Sequence, residues 1–256
     1  MSKESALQAL SLRALSAMTA DTDSTPPQAP VPLSVRESIV TKWQSWAKLN
    51  PDGWPGTATL SALWQRHQPT PAEIAATAML ATQWPKVEYT LGTGGNTFLP
   101  DPQTPLSECD CSGFSAHCLG LPRNVGWLNA KMKWIETTQV FADAKGQQAL
   151  FVAHPLRSAK VGDLVVYPDE GGKQGHMGVV VEVVDGQILT VDCSATSESI
   201  GNKSAIQKRD RTTLWQNKDA IVARPIWNDG SRRGAGVVGF SLVLMALIAF
   251  VLVRRG

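Results

Sequence analysis

A cysteine near the middle of the chain has the surroundings expected of a nucleophile. Cys111 follows Asp110 and precedes the small residues Ser112 and Gly113, at the start of a helix predicted over residues 111–119. Unpaired backbone N–H groups and the positive end of the helix dipole favour the thiolate form of a thiol at such a position, and the thiolate is the reactive form. The two small residues leave room for a substrate backbone to approach. The pattern predicts a thiol nucleophile at Cys111.

A histidine downstream could serve this thiol as a general base. His176 lies between Gly175 and the pair Met177-Gly178, at the predicted start of a strand. An imidazole there is exposed at the end of a sheet and can exchange a proton with a thiol. A papain-like dyad has this arrangement, with its thiol on an upstream helix and its imidazole at the start of a strand. We therefore expect Cys111 and His176 to act together.

Helices are predicted before the nucleophile and strands after it. Helical patterning covers residues 34–49, resumes from Thr57 to His67, and restarts at Pro71 with Thr70 as the N-cap. In the second half of the chain, short β-branched runs separated by turn residues predict antiparallel strands. These strands are expected at residues 163–167, 178–184, 187–192 and 221–226. The order of helices and then strands predicts the α+β class, with the nucleophile helix packed on an antiparallel sheet.

Five motifs in chain order resemble those of the NlpC-type papain-like cysteine peptidases, which cut the stem peptides of peptidoglycan. The motifs are Tyr89-Thr90-Leu91-Gly92-Thr93-Gly94-Gly95, Asp110-Cys111-Ser112-Gly113-Phe114, Leu121-Pro122-Arg123, Val161-Gly162-Asp163-Leu164-Val165 and His176-Met177-Gly178-Val179. The resemblance spans about residues 72–200, and the order of the motifs makes it more specific than any single one. It implies a papain-like NlpC-type fold, in a peptidase domain that we place at residues 70–228.

The resemblance implies a role for each matching residue. Cys111 is the expected nucleophile and His176 the expected base. Tyr89 is expected in the substrate pocket or the oxyanion site, and Asp110 and Ser112 are expected to hold the free amino end of the stem peptide. The implied activity is that of a thiol endopeptidase that cleaves the γ-D-glutamyl bond to a diamino acid, without a cofactor. The alternatives are an amidase or acyltransferase on the same scaffold and a non-catalytic wall-binding protein.

The family usually orients its imidazole with a polar residue from the strand after the histidine. That strand ends here in Asp192 and Cys193, and a carboxylate suits the role because it stabilises an imidazolium. The turn before the strand lies at Asp185-Gly186, and its length sets the register. A two-residue loop puts Cys193 on the face of His176, whereas a three-residue loop with a glycine bulge puts Asp192 there. The chemistry favours Asp192, and the register leaves Cys193 open.

Composition and the remaining cysteines narrow the choice of function. The chain of 256 residues has 24 basic and 22 acidic side chains, which gives no electrostatic reason to expect a nucleic-acid partner. Its cysteines are Cys109, Cys111, Cys118 and Cys193. Three of them lie close together, so a disulfide framework across the chain is not indicated, and their spacing is not that of a zinc site. We therefore expect no metal and no cofactor.

A weaker resemblance lies upstream of the peptidase motifs. Residues 34–69 contain Asp52-Gly53-Trp54-Pro55-Gly56-Thr57-Ala58-Thr59, which is similar to the second half of a peptidoglycan-binding helical repeat. This segment also holds a cluster of tryptophans, namely Trp43, Trp46, Trp54 and Trp64. They could contact glycan, and packing in a core explains them as well. Wall binding and a plain helical lead-in both remain open.

The two ends of the chain bear on where the protein works. The N-terminus lacks the long apolar core of a secretory signal, and we predict a helix at residues 1–23 and a proline-rich linker at residues 24–33. Residues 234–253 carry no charge and are numerous enough to cross a bilayer as a helix. Arginine pairs on both sides leave the orientation open. We expect a C-terminal single-pass membrane anchor, and we hypothesise delivery to the wall as part of a virus particle, with export by another route as the alternative.

Overall fold

A computed structural model describes residues 33–54, 56–128, 131–196 and 204–229 of the chain. The helices are α1 (Leu33–Trp46), α2 (Thr57–Arg66), α3 (Pro71–Ala81), α4 (Cys111–Cys118), α5 (Thr137–Ala142) and α6 (Thr212–Asn217). The strands are β1 (Glu88–Tyr89), β2 (Glu108–Cys109), β3 (Phe151–His154), β4 (Leu164–Tyr167), β5 (His176–Val184), β6 (Gln187–Cys193), β7 (Ile206–Asp210) and β8 (Ile221–Pro225). A π-helical turn (Asp143–Gln147) and a 3-10 turn (Leu156–Ser158) lie on either side of β3.

The larger sheet is antiparallel throughout, with the strand order β3-β8-β4-β5-β6-β7. β1 and β2 form a separate short parallel pair. α4 packs against β5 and β6, and α3 packs against β5. The helix that begins at Cys111 therefore lies on the strands that carry His176 and Asp192. The mixed α+β architecture with an antiparallel sheet agrees with the prediction and fits a papain-like fold.

The membrane-spanning helix included in the predicted fold class is not supported. Among the described residues, no helix is both long and apolar enough to cross a membrane. Residues 234–253, which carried the prediction, lie outside the described residues. We therefore correct the fold class to α+β with an antiparallel sheet, and the predicted localisation through a C-terminal single-pass anchor is corrected with it. The predicted N-terminal helix at residues 1–23, and the linker up to residue 32, also lie outside the described residues.

Helix α3 begins where local signals place it. Thr70 is its N-cap and Pro71 its first residue. The Thr70 hydroxyl accepts a hydrogen bond from the Glu73 backbone N–H at 3.3 Å, and the Glu73 carboxylate accepts one from the Thr70 backbone N–H at 2.8 Å. This reciprocal pair satisfies two backbone donors that a helix start otherwise leaves without a partner. The predicted start of this helix is confirmed.

The β5–β6 hairpin has the two-residue turn that Asp185-Gly186 suggests. Val184 pairs with Gln187, and the two turn residues have φ angles of 51° and 80°. Positive φ at both positions is the geometry of a type I′ turn, whose twist matches that of the flanking strands. The shorter of the two predicted loops is therefore the one present.

A bulge in β5 then changes the register that this turn alone would set. Val180 pairs with Thr190, but Glu182 pairs with Leu189, so Val181 is an extra residue on its strand. A bulge of this kind moves every later residue of the strand by one position relative to its partner. Because of that shift, Asp192 and not Cys193 lies on the face of His176.

The upstream helices are joined by a buried glutamine. The Gln44 side-chain nitrogen lies 2.8 Å from Asp52 Oδ1, 2.7 Å from the Trp54 carbonyl and 2.9 Å from Thr59 Oγ1. The Gly53 backbone N–H donates to the Gln44 side-chain oxygen at 2.9 Å. Asp52, Gly53 and Thr59 of the upstream motif are thus all held by the side chain of Gln44.

The tryptophans of this segment divide between core and surface. Trp43 and Trp64 are buried in the core cluster that also contains residues of α3 and α4. Trp46 is half-exposed, and the Arg66 guanidinium lies 3.5 Å from its ring centroid. Packing in the core therefore accounts for Trp43 and Trp64. Helices α1 and α2 share one hydrophobic core with α3 and α4.

Candidate active site

The proposed nucleophile opens α4. Asp110 is the N-cap of this helix and Cys111 its first residue. The Asp110 carboxylate accepts a hydrogen bond from the Gly113 backbone N–H at 2.7 Å, and its carbonyl accepts one from that of Phe114 at 2.9 Å. Cys111 is 7% exposed, so its thiol is largely shielded from water.

Asp110 is held by more than its helix. Ser112 Oγ and Arg123 Nη1 donate to its Oδ1 at 2.9 and 2.7 Å, and the Gly92 backbone N–H donates to its Oδ2 at 2.7 Å. Burial raises the pKa of Asp110, but the hydrogen bonds and the Arg123 charge outweigh burial and lower it. With the Gly113 bond, Oδ1 accepts three hydrogen bonds and Oδ2 accepts one. A stem-peptide amine, which the resemblance assigns to Asp110 and Ser112, would have to use the remaining acceptor position of Oδ2 or displace one of these donors.

The space beside Gly113 is filled by the chain itself. A Cβ at Gly113 would lie 2.0 Å from the Thr93 carbonyl oxygen and 3.0 Å from Gly94. The small residue after the cysteine therefore allows the loop that follows Tyr89 to rest on α4. The expectation that this glycine leaves room for a substrate backbone is wrong, because the loop occupies that room.

His176 lies between the thiol and a carboxylate. Its Nε2 is 2.7 Å from Asp192 Oδ2, and the side chain also hydrogen-bonds Cys111. Since Nε2 faces Asp192, Nδ1 is the nitrogen that faces the thiol. Burial lowers the pKa of His176, but the hydrogen bonds to Asp192 and Cys111 and their charges outweigh burial and raise it to about 9. The imidazole is therefore protonated at neutral pH.

Asp192 is fully buried and lies among cationic groups. Besides His176, it contacts Arg211 through Nε to Oδ1 at 3.1 Å and Nη2 to Oδ2 at 2.9 Å, and Arg209 Nη2 lies 3.5 Å from Oδ2. Burial raises the pKa of Asp192, but the His176 hydrogen bond and the three positive charges outweigh burial and lower it. Of the two residues that the sequence left open, Asp192 is the one that lies beside the imidazole, and Cys193 does not.

Two residues around the imidazole, Trp215 and Tyr167, were not found from the sequence, and Gly178 of the histidine motif lies there too. The Trp215 ring stacks on the His176 ring, with centroids 5.7 Å apart and planes at 12°. Tyr167 pairs with His176 across β4 and β5, with ring centroids 6.4 Å apart. Gly178 lies opposite Asp192, where a Cβ would come within 3.2 Å of the Asp192 Cβ. The histidine-x-glycine spacing was the only signal for any of them.

Tyr89 lies beside the thiols. It pairs with Cys109 in the β1–β2 pair. Burial, and then the negative charge of Cys111 and Asp110, raise the pKa of Tyr89, so its hydroxyl keeps its proton. The Cys193 thiol donates a hydrogen bond to the Cys109 carbonyl at 3.0 Å, and both residues are buried. Across the described ranges, no group of three or more histidine, cysteine or acidic side chains is placed to hold a metal ion.

A buried thiol, an imidazole and a carboxylate lie in series on this α+β fold, which is the arrangement that a cysteine-dependent hydrolase of papain-like type requires. Residues 103–194, which include all three, match the CHAP domain family. This segment is therefore similar to CHAP domains, which occur in NlpC-type and papain-like peptidoglycan hydrolases, and the predicted resemblance is confirmed at that level. The domain supports a hydrolase of amidase or peptidase type that acts on peptidoglycan. No curated protein and no solved structure matches the chain.

Proposed function

We propose that Cys111, His176 and Asp192 hydrolyse the γ-D-glutamyl bond to a diamino acid in peptidoglycan stem peptides, as a thiol endopeptidase. The observation that carries this proposal is the series of contacts through one imidazole. His176 hydrogen-bonds Cys111 on one side and lies 2.7 Å from the buried Asp192 on the other. A protonated imidazole next to a thiol stabilises the thiolate, which is the attacking form.

The reaction follows from these positions. The Cys111 thiolate attacks the amide carbonyl carbon, and the tetrahedral oxyanion accepts a hydrogen bond from the Cys111 backbone N–H at the start of α4. His176 donates its proton to the leaving amine, which departs and leaves an acyl-enzyme. The neutral imidazole then takes a proton from water, and the hydroxide attacks the thioester carbonyl. Release of the carboxylate product returns the thiolate and imidazolium pair.

The neighbouring groups keep the reacting residues in their working form. Asp192 stays ionised and holds the imidazole in one orientation, as a carboxylate does in a catalytic triad. Tyr89 keeps its hydroxyl proton and is the side chain that we assign to the substrate pocket beside the oxyanion. Trp215 covers one face of the imidazole and limits access of water to its bond with Asp192.

An amidase that cuts the bond between the glycan lactyl group and the stem peptide is the second candidate. One observation favours it. The Asp110 carboxylate is already committed to Ser112, Gly113, Arg123 and Gly92. Recognition of a free peptide amine is part of the endopeptidase proposal, whereas an amidase acts on a stem peptide whose amino end is still blocked.

Digestion of purified diaminopimelate-type peptidoglycan by the full chain separates the two candidates. The soluble fragments are identified by mass, and new amino ends are labelled before hydrolysis of the fragments. The endopeptidase proposal predicts new amino ends on the diamino acid. New amino ends on L-alanine would show amidase activity and overturn the endopeptidase proposal. The absence of any new amino end would overturn both candidate activities.

We further propose residues 70–228 as the catalytic domain, which is longer than the range that matches the family. Helix α3 packs on β5, and β7 and β8 belong to the same sheet as the histidine strand. Arg209, Arg211 and Trp215 come from this added part and contact the catalytic residues.

A further inference from the structure

We propose that Arg211, assisted by Arg209, is a positioning residue that fixes the Asp192 carboxylate against His176 and limits the basicity of the imidazole. This inference rests on the proposed roles of His176 and Asp192. It adds a second function to the arginine pair beyond compensation of a buried charge. Arg211 acts through the geometry of its contacts and through its charge, and different substitutions separate the two effects.

The geometric part is the pair of contacts that Arg211 makes with the carboxylate. Its Nε donates a hydrogen bond to Oδ1 at 3.1 Å, and its Nη2 lies 2.9 Å from Oδ2 in an ion-pair contact that lacks hydrogen-bond geometry. A guanidinium that donates to one oxygen and lies against the other restricts rotation of the carboxylate, which a single contact leaves free to rotate. The Oδ2 lone pairs are then directed to the His176 Nε2 at 2.7 Å. The orientation of the imidazole toward Cys111 therefore depends on Arg211 through Asp192.

The electrostatic part is the balance of charge around Asp192. One negative carboxylate, 0% exposed, faces two guanidinium groups and one imidazolium. Among the described residues, the other titratable groups that contact the imidazole are Cys111 on α4 and Tyr167 on β4. The arginines attract the same carboxylate that stabilises the imidazolium, and they repel the imidazolium itself. Removal of one guanidinium therefore makes His176 more basic.

Strand β7 supplies a matched control for this effect. Arg209 pairs with Thr190 and so lies on the face of Asp192, whereas Lys208 lies on the opposite face. Lys208 forms an exposed ion pair with Glu182. A substitution at Lys208 removes the same unit of charge from the same strand without a contact to the catalytic centre.

The outer side of the arginine pair borders a cavity of about 330 Å³. Its lining consists of Arg209, Asp210, Arg211, Thr213 and Leu214. Truncation of Arg211 to alanine enlarges this cavity, and a small guanidinium ion can enter it from solvent. Chemical rescue of Arg211→Ala by methylguanidine therefore tests the contact between the guanidinium and Asp192. The test uses one variant with and without the added ion, so a difference in folding between variants cannot explain its result.

The experiment compares the full chain with Arg211→Ala, Arg211→Lys and Lys208→Ala. The first readout is the pKa of His176 from imidazole NMR, which needs no substrate. Arg211→Ala is expected to raise it by about one unit, the lower end of the shift from a neighbouring charge. Arg211→Lys keeps the charge and is expected to leave the pKa in place. Lys208→Ala is expected to change neither the pKa nor the activity.

The second readout is the release of stem peptides. Arg211→Ala is expected to lower kcat by roughly tenfold to a hundredfold, with little change in KM, because the imidazole is misplaced. Arg211→Lys is expected to restore only part of this loss, since an ammonium cannot make both contacts. Methylguanidine is expected to restore kcat in Arg211→Ala and in no other variant.

An unchanged pKa of His176 in Arg211→Ala would overturn the electrostatic part. Equal loss in Arg211→Ala and Lys208→Ala, or no rescue by methylguanidine, would overturn the geometric part. If the wild-type chain releases nothing from peptidoglycan while the NMR shift occurs, the proposed function fails and the electrostatic part of the inference stands.

Discussion

At the scale of single residues, the candidate active site is a series of polar groups that water hardly reaches. Cys111 is 7% exposed, and the side chains of His176 and Asp192 are 13% and 0% exposed. Burial of a charge is costly unless a partner offsets it, and here each charged group has one. His176 carries a pKa of about 9 because the contacts with Asp192 and Cys111 exceed the effect of burial. The proposed chemistry therefore needs Asp192 in addition to the two reacting residues.

The change Asp192→Asn tests this dependence. The amide removes the negative charge, so burial dominates and the pKa of His176 falls from about 9. A raised histidine pKa keeps the imidazolium form below that value, so activity in the wild type declines as pH rises through about 9. In Asp192→Asn the alkaline decline is expected at lower pH, with activity near neutral pH reduced by roughly a hundredfold. A pH profile of stem-peptide release measures both effects, and an alkaline limb that does not move would contradict the role given to Asp192.

At the scale of elements, the site forms where a helix start meets the ends of two strands. α4 supplies the thiol, and β5 and β6 supply the imidazole and the carboxylate. The two-residue turn at Asp185-Gly186 would by itself direct Cys193 to the face of His176. The bulge at Val181 reverses that outcome. One extra residue in β5 therefore determines which side chain orients the imidazole.

Deletion of Val181 is the corresponding test. Without the extra residue the pairing continues in the register of the turn, so Asp192 moves to the other face of the sheet. Activity is expected to fall to the level of Asp192→Ala, and the two changes together are expected to cost no more than either alone. Stem-peptide release measures the rates, and circular dichroism checks that the sheet persists. Additive losses in the double variant would show that the bulge acts in another way.

Local signals in the sequence were sufficient for some elements and not for others. α3 was predicted because its cap, Thr70, directly precedes its first residue, Pro71, and α4 begins at Cys111 as expected. β7 was missed because Ile206–Asp210 is mostly charged and polar, so no apolar alternation marks it. The partners of Asp192 on and after that strand were missed with it. The bulge at Val181 has no local sequence signature. The sequence therefore favoured Asp192 over Cys193 only because a carboxylate suits the role, and the strand pairing was needed to place it.

At the scale of the whole molecule, the upstream helices and the end of the sheet share one core. Trp64 of α2 meets Trp227 edge-on at 5.1 Å between ring centroids and lies 6.5 Å from Phe98. Trp227 follows β8, and its indole N–H donates to the Pro69 carbonyl at 3.0 Å. The segment proposed for wall binding is therefore also a structural support of the catalytic region.

The change Trp64→Ala measures that support. A buried tryptophan truncated to alanine is expected to cost about 3–5 kcal/mol of the free energy of unfolding, because it leaves a cavity in a shared core. Trp46→Ala is the matched control, since Trp46 is 48% exposed and is expected to cost about 1 kcal/mol or less. Denaturant unfolding of the full chain gives both values. Equal small losses would mean that α2 is not part of the stabilising core.

The central claim is that Cys111 is the nucleophile of a peptidoglycan hydrolase. The most direct measurement is the rate of soluble peptide release from purified peptidoglycan by the full chain, by Cys111→Ala and by Cys118→Ala. Cys118 lies on the same helix, is buried, and is not part of the proposed reaction. The account predicts release by the wild type and by Cys118→Ala, and none above background by Cys111→Ala. Release by Cys111→Ala at the wild-type rate would contradict it.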